Sequence, residues 1–186
     1  MANELNGIRI AILSTDGFEL VELTEPKRAL EEAGADVKVL TPTGKKIQGM
    51  KHDEKSDFVE SDGTIADAKP GEFDAVHLPG GTFNADALRI DQDAQEFARQ
   101  IDRQGKPLSV ICHGPWLLVS AGLVKGRTLT SWPTLQDDIR NAGGTWVDRE
   151  VVRDKNWVSS RKPDNIPAFN RELISLLQQS GKQKAA

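Results

Sequence analysis

VICHGPWLLVSAG (residues 110–122) holds the one cysteine of the chain. The residues leading into it, 107–111, are apolar and short, as a buried strand should be, and an apolar run follows behind Gly114-Pro115 as a helix. Cys112 and His113 therefore stand where a strand gives way to a helix, the sharp turn that exposes a nucleophile in hydrolase folds. N–H groups at a helix start favour negative charge and draw a thiol pKa down. A neighbouring imidazole, His113, is in place to act as general base. On its own a free cysteine reads as a small, inert, buried hydrophobe. Its position at a strand end and its histidine neighbour reverse that balance.

The same alternation extends in both directions. Residues 7–13, GIRIAIL, read as a buried strand, Thr15-Asp16-Gly17 as punctuation, and 18–33 as a helix with Pro26 inside it and Gly34 as its stop. A strand follows over 35–41. Residues 43–72 are polar and predict a surface excursion or small hairpin, with strand candidates near Ile47 and Phe58. Residues 74–78 form the next buried strand and end in Pro79-Gly80-Gly81; helical sequence runs over 84–104 with a break near Asp91. Beyond the opening stretch come a short strand near Thr128, a helix over 134–141, strands at 145–147, 151–152 and near Trp157, and an amphipathic helix over 166–179. Residues 181–186 read as a frayed tail. Strands alternating with helices imply an α/β fold with a mostly parallel sheet covered on both faces.

At 186 residues and 38% apolar the chain suits one domain, 1–186, with a substantial core. A net charge of −4 argues against nucleic acid or an anionic membrane as partner. No apolar run approaches the roughly 20 residues that span a bilayer, and MANELNGIRI lacks the basic start and apolar core of a signal peptide. One cysteine makes no internal disulfide, which points to a reducing cytoplasm.

Ligands of open α/β sheets gather at the carboxyl ends of the strands. There LPGGTF offers two glycines whose N–H groups can approach a substrate closely, as an oxyanion hole requires, though a tight turn of this kind is common. It is no dinucleotide fingerprint. Glu19, Glu22 and Glu25 recur at intervals of three, ordinarily the mark of a solvated face. One of them aimed at the sheet edge beside a thiolate would have a raised pKa. His77 lies mid-strand and reads as a hydrogen-bonded core residue; His52 reads as exposed, and Trp116 and Trp132 as packing residues that also suit a pocket wall. Three scattered histidines give no metal-ligand spacing.

Four segments together, DGFELVELTEP, LPGG, ICHGPWLLVSAGLVKGRTLTSW and NAGGTWVDREVVRDKNWVSSRKPDN, resemble the ThiJ/PfpI superfamily in its PfpI branch over nearly the whole chain. The resemblance implies a flavodoxin-like, doubly wound sandwich with the cysteine on a nucleophile elbow, as in class I glutamine amidotransferase-like folds. It implies Cys112 as nucleophile, His113 beside it, Glu22 as the acid at the sulfur, and the amides of Gly81 and His113 as oxyanion donors. In that branch a carboxylate after the glycine pair comes from a neighbouring subunit. GGTFNADAL is about one residue longer than the usual segment, and Asp86 is its nearest acid. The implied activities are a cofactor-free deglycase or glyoxalase acting on small carbonyl compounds or glycated groups, an intracellular peptidase, or a stress protein whose cysteine senses peroxide. A homodimer or higher homo-oligomer goes with them. Glutaminase chemistry is not expected, because those enzymes pair the elbow cysteine with a histidine far downstream and none follows His113 here.

Overall fold

The computed structural model describes residues 4–184. Five parallel-paired strands form the centre of the molecule: β1 (Arg9–Leu13), β3 (Asp36–Thr41), β7 (Ala75–Leu78), β8 (Leu108–Ile111) and β12 (Trp157–Ser160). Adding β11 (Val151–Asp154) at one edge and the two-residue β6 (Gly63–Thr64) at the other gives the order β11-β12-β8-β7-β1-β3-β6. Within this sheet only the β11–β12 pair is antiparallel. Because a parallel sheet is buried on both faces, alternate residues of β1 supply two separate cores. Ala11 and Leu13 join one, and Ile10 and Ile12 the other.

The first core is closed by α2 (Thr82–Leu88), α3 (Gln92–Arg103), α4 (Pro115–Ser120) and α5 (Gln136–Asn141), through residues such as Leu88, Phe97, Leu117 and Ile139. The second is closed by α1 (Leu20–Glu32) and α6 (Ile166–Lys184), through Leu23, Leu30, Phe169 and Leu173. The architecture is thus the doubly wound α/β sandwich expected. No helix among the described residues is long and apolar enough to cross a membrane.

Two local departures from the sequence reading have physical causes. Phe18–Glu19, expected to open the helix, is a short strand, β2, paired in parallel with β4 (Ile47–Lys51). Backbone pairing outweighs the helical spacing of the apolar side chains there. β4 continues into an antiparallel hairpin with β5 (Glu54–Val59), the small hairpin foreseen in the polar excursion. α6 runs past the expected end at Gln179 to Lys184, and the last two residues of the tail lie outside the described residues. β9 (Thr128–Leu129) and β10 (Thr145–Trp146) form a separate parallel pair.

Candidate active site

β8, β7 and β1 are neighbours in the sheet and end together at its carboxyl edge. Cys112 follows β8, the glycine pair Gly80 and Gly81 follows β7, and β1 leads through Ser14 and Thr15 to the helix that carries Glu22. Cys112 has φ +61°, a left-handed conformation that a side chain adopts only when its surroundings impose it. Here they do: its N–H donates to the Ser160 carbonyl at 3.1 Å, and its carbonyl accepts the Trp132 N–H at 2.9 Å. Gly114 permits the turn, since a Cβ there would stand 2.8 Å from the Leu78 carbonyl oxygen and 2.8 Å from Val110 Cγ2. Pro115 then occupies the start of α4, where a missing N–H costs no helical bond.

Around the sulfur the residues from the three strand ends converge. His113 Nδ1 lies 3.2 Å from Cys112 Sγ. The backbone N–H groups of Gly81 and His113 also point at the sulfur and favour its anion. Glu22 is fully buried and its carboxyl interacts with the thiol. Its Oε2 accepts the Gly80 N–H at 3.0 Å, whereas the buried Oε1 has no well-aligned partner.

Electrostatics separate the three groups. Burial, and then the charge of Glu19, pushes the Glu22 carboxyl up to about 8. Glu19 is itself nearly buried, and its Oε2 accepts the N–H of His52 in the hairpin turn at 2.9 Å. Glu25 faces solvent and pairs with Arg28. Burial likewise pushes the Cys112 thiol well above its ordinary value, with an ionised Glu22 pushing further and the two amides opposing. The expectation of a thiol pKa lowered by a helix start is thus overturned. α4 is only six residues long, and desolvation outweighs it. His113, half-buried, is held below its usual value by the same cause. At neutral pH the site is a thiol, a neutral imidazole able to accept its proton, and a carboxyl that keeps its own.

Trp116 meets the His113 ring edge-on at 5.3 Å between centroids, and Trp132 stacks on it at 6.0 Å. Both tryptophans flank the imidazole; Trp116 also packs against the first core, as expected, whereas Trp132 is partly exposed. Asp86 is the one expected site residue not brought in: it is exposed on α2 and makes no hydrogen bond or ion pair among the described residues. Asn84, which carried no signal in the sequence, is the missed contributor. Its carbonyl accepts from Ser14 Oγ at 3.3 Å and the Thr15 N–H at 2.8 Å, and its amide donates to the Pro79 and Gly80 carbonyls at 3.2 and 3.0 Å. It clamps the ends of β1 and β7 together. His77 is the buried, hydrogen-bonded core residue expected. Among the described residues no group of three or more His, Cys, Asp or Glu side chains is gathered to hold a metal ion.

Gly80 is the tightest point. A Cβ on it would stand 2.3 Å from Glu22 Oε2 and 2.5 Å from Cys112 Cβ. Gly80→Ala is expected to cost about 2 kcal/mol of stability, in the range of core overpacking. An unchanged guanidinium midpoint would show that the carboxyl can move aside freely.

Comparison with known proteins places this geometry. The profile of the DJ-1/PfpI family matches residues 8–176. Deglycase PfpI of Pyrococcus furiosus is 44% identical over 171 residues, 92% of this chain and 100% of the relative. Deglycase TK1284 of Thermococcus kodakarensis is 43% identical over the same shares. The putative cysteine protease YraA of Bacillus subtilis is 43% identical over 91% of this chain and 98% of its own. Among solved structures, a two-domain protein of Anabaena variabilis with DJ-1/ThiJ/PfpI-like and ferritin-like domains superposes with a TM-score of 0.85 at 32% identity. The match covers 91% of this chain and 48% of that one. Drosophila melanogaster DJ-1beta superposes with a TM-score of 0.81 at 24% identity, over 100% of this chain and 99% of that one.

Proposed function

This chain belongs to the DJ-1/PfpI family, and from that membership and the surroundings of its cysteine we propose that it is a cysteine-dependent, cofactor-free hydrolase of the deglycase type. It serves stress defence in the cytoplasm by releasing glycated groups formed by small carbonyl compounds. The observation that carries the reading is the 3.2 Å contact of Cys112 Sγ with His113 Nδ1 on a turn of φ +61°. As the sulfur bonds to an electrophilic carbon, its proton passes to His113 Nδ1. The charge that develops on the carbonyl oxygen is taken up by the N–H groups of Gly81 and His113, and the protonated Glu22 gives its proton to the departing group as the bond to that group breaks. Water then adds to the same carbon and returns a proton to Glu22, and the carbon–sulfur bond breaks as the sulfur recovers its proton from His113.

The working form is a homodimer or higher homo-oligomer in which Asp86 of one copy reaches the His113 of another. Two facts favour this: Asp86 is exposed and unpaired, and His113 Nε2 has no partner among the described residues. Peptides are the second substrate class, because YraA, similar to this chain over 98% of its length, is named a putative cysteine protease.

The test compares methylglyoxal adducts of N-acetylcysteine and N-acetylarginine with a fluorogenic peptide, before and after alkylation of Cys112 by iodoacetamide. Consumption of the adducts, lost on alkylation, is the expected result. Turnover of neither substrate, or an unchanged rate after alkylation, overturns the reading. No turnover together with selective oxygen addition at Cys112 under mild peroxide would instead make the protein a redox-responsive one.

A further inference from the structure

Pro26 lies in the middle of α1, a helix of thirteen residues. A proline has no N–H, so the carbonyl four residues upstream loses its helical donor. That carbonyl belongs to Glu22, the residue whose carboxyl is buried against Gly80 and Cys112. A buried carbonyl without a donor is rarely tolerated, and this one is met from outside the helix. His77 Nε2 lies 2.8 Å from the Glu22 carbonyl oxygen, and across the ring His77 Nδ1 lies 3.0 Å from Ser109 Oγ.

The chemistry of the partners assigns the protons. A carbonyl oxygen only accepts, so Nε2 carries the hydrogen and Nδ1 the lone pair, to which the Ser109 hydroxyl donates. His77 and Ser109 are register partners on β7 and β8, the two strands that deliver Gly80 and Cys112 to the site. The string Ser109 to His77 to Glu22 therefore ties the helix bearing the carboxyl to the same strands that carry the groups it meets. All three residues are buried, His77 and Glu22 completely, and Phe169 of α6 packs against the imidazole at 5.7 Å between centroids. Burial keeps His77 down at about 4, so it remains neutral wherever Glu22 and Cys112 titrate.

We propose that His77 is a positioning residue: by replacing the amide that Pro26 withholds, it fixes the height of the Glu22 carboxyl over the Gly80 N–H and the Cys112 sulfur. The proposal rests on Cys112 and Glu22 being the working pair, yet its readout needs no turnover. The groups that act on the titration of this pair are Glu19, the amides of Gly80, Gly81 and His113, the His113 imidazole at 3.2 Å from the sulfur, and the two side chains themselves. None of them is altered by the substitutions below.

The experiment follows the rate of Cys112 alkylation by iodoacetamide across pH, with the thermal midpoint measured alongside. His77→Val removes the donor and is expected to change the alkylation rate at pH 7 about tenfold, corresponding to a displacement of the titration by about one unit. His77→Gln, which keeps an N–H₂ in reach, should stay within about threefold of the natural protein. The deciding variant is Pro26→Ala in the His77→Val background. The backbone N–H restored at position 26 can bond the Glu22 carbonyl directly, and the profile should return to within about threefold. If His77→Val does not fold, Ser109→Ala serves instead, because it removes the donor that holds the tautomer; about a threefold change is expected. A lowered thermal midpoint with an unmoved alkylation profile overturns the proposal, as does a Pro26→Ala background that restores nothing. Failure to consume adducts would overturn the proposed activity while leaving the alkylation profile readable, so the two fail separately.

Discussion

Cys112→Ala is expected to reduce adduct turnover at least a thousandfold while leaving the protein folded. The size follows from what is removed. Covalent catalysis has no substitute nucleophile within reach of Gly81 and His113, and what remains is binding and polarisation by the two amides, the residue of catalysis left when a nucleophile is deleted. The structural cost is small by comparison. Alanine keeps the Cβ, the turn at φ +61° is imposed by the Ser160 and Trp132 backbone bonds, and only the sulfur of a residue that is 7% exposed is lost. Removing one buried heavy atom of this kind costs about 1 kcal/mol. Turnover and thermal unfolding measured on the same preparation separate the two effects. Retained turnover would remove Cys112 from the mechanism, and a collapse of the fold with activity would make the sulfur structural.

How far the sequence carried this arrangement depends on the range of the forces involved. The buried strands were legible because a parallel sheet covered on both faces demands short runs of β-branched and apolar residues, as in GIRIAIL and PLSVI. LPGG and ICHGP were legible together, because a glycine pair after one strand, common by itself, gains meaning beside a cysteine and histidine at the end of another. Three glutamates at intervals of three looked like one face. Glu19 sits in the extended β2, outside the helix, and the helical step from Glu22 to Glu25 falls about 60° short of a full turn, so the three fan out. Glu19 lies under the hairpin, Glu22 under the sheet edge and Glu25 in solvent. Which of them became the site acid was settled by tertiary burial, which no spacing encodes. The thiol was misjudged for the same reason: a helix start is visible in sequence, whereas the desolvation that outweighs it is not. Asn84 escaped notice because two of its four bonds reach Ser14 and Thr15, about 70 residues away in the chain.

Glu22→Gln carries the second large effect, and it shows in stability as well as in rate. Turnover should fall at least about a hundredfold. The glutamine carbonyl can still accept the Gly80 N–H and its amide can still face the sulfur, but it cannot release a proton. For stability the sign is set by where each proton sits. Glu22 titrates at about 8 when folded against 4.5 as the free residue, so between those values the folded state holds a proton the unfolded state lacks, and stability falls as pH rises. His77 works the other way, at about 4 folded against 6.5 free, so its stabilisation is lost as pH falls through that window. Between 4.5 and 6.5 the two slopes oppose and largely cancel. Above 6.5 Glu22 acts alone, and by pH 8 the loss amounts to about 2 kcal/mol. Guanidinium unfolding at pH 6.5 and at pH 8 should therefore show the natural protein losing about that much more than Glu22→Gln over the interval. The substitution should also lower the Cys112 titration, since the charge that forms on Glu22 at alkaline pH no longer opposes a second one on the sulfur. Equal pH dependence in the two proteins would mean that Glu22 is already ionised at neutral pH, and it would transfer the role of proton donor from the carboxyl to His113.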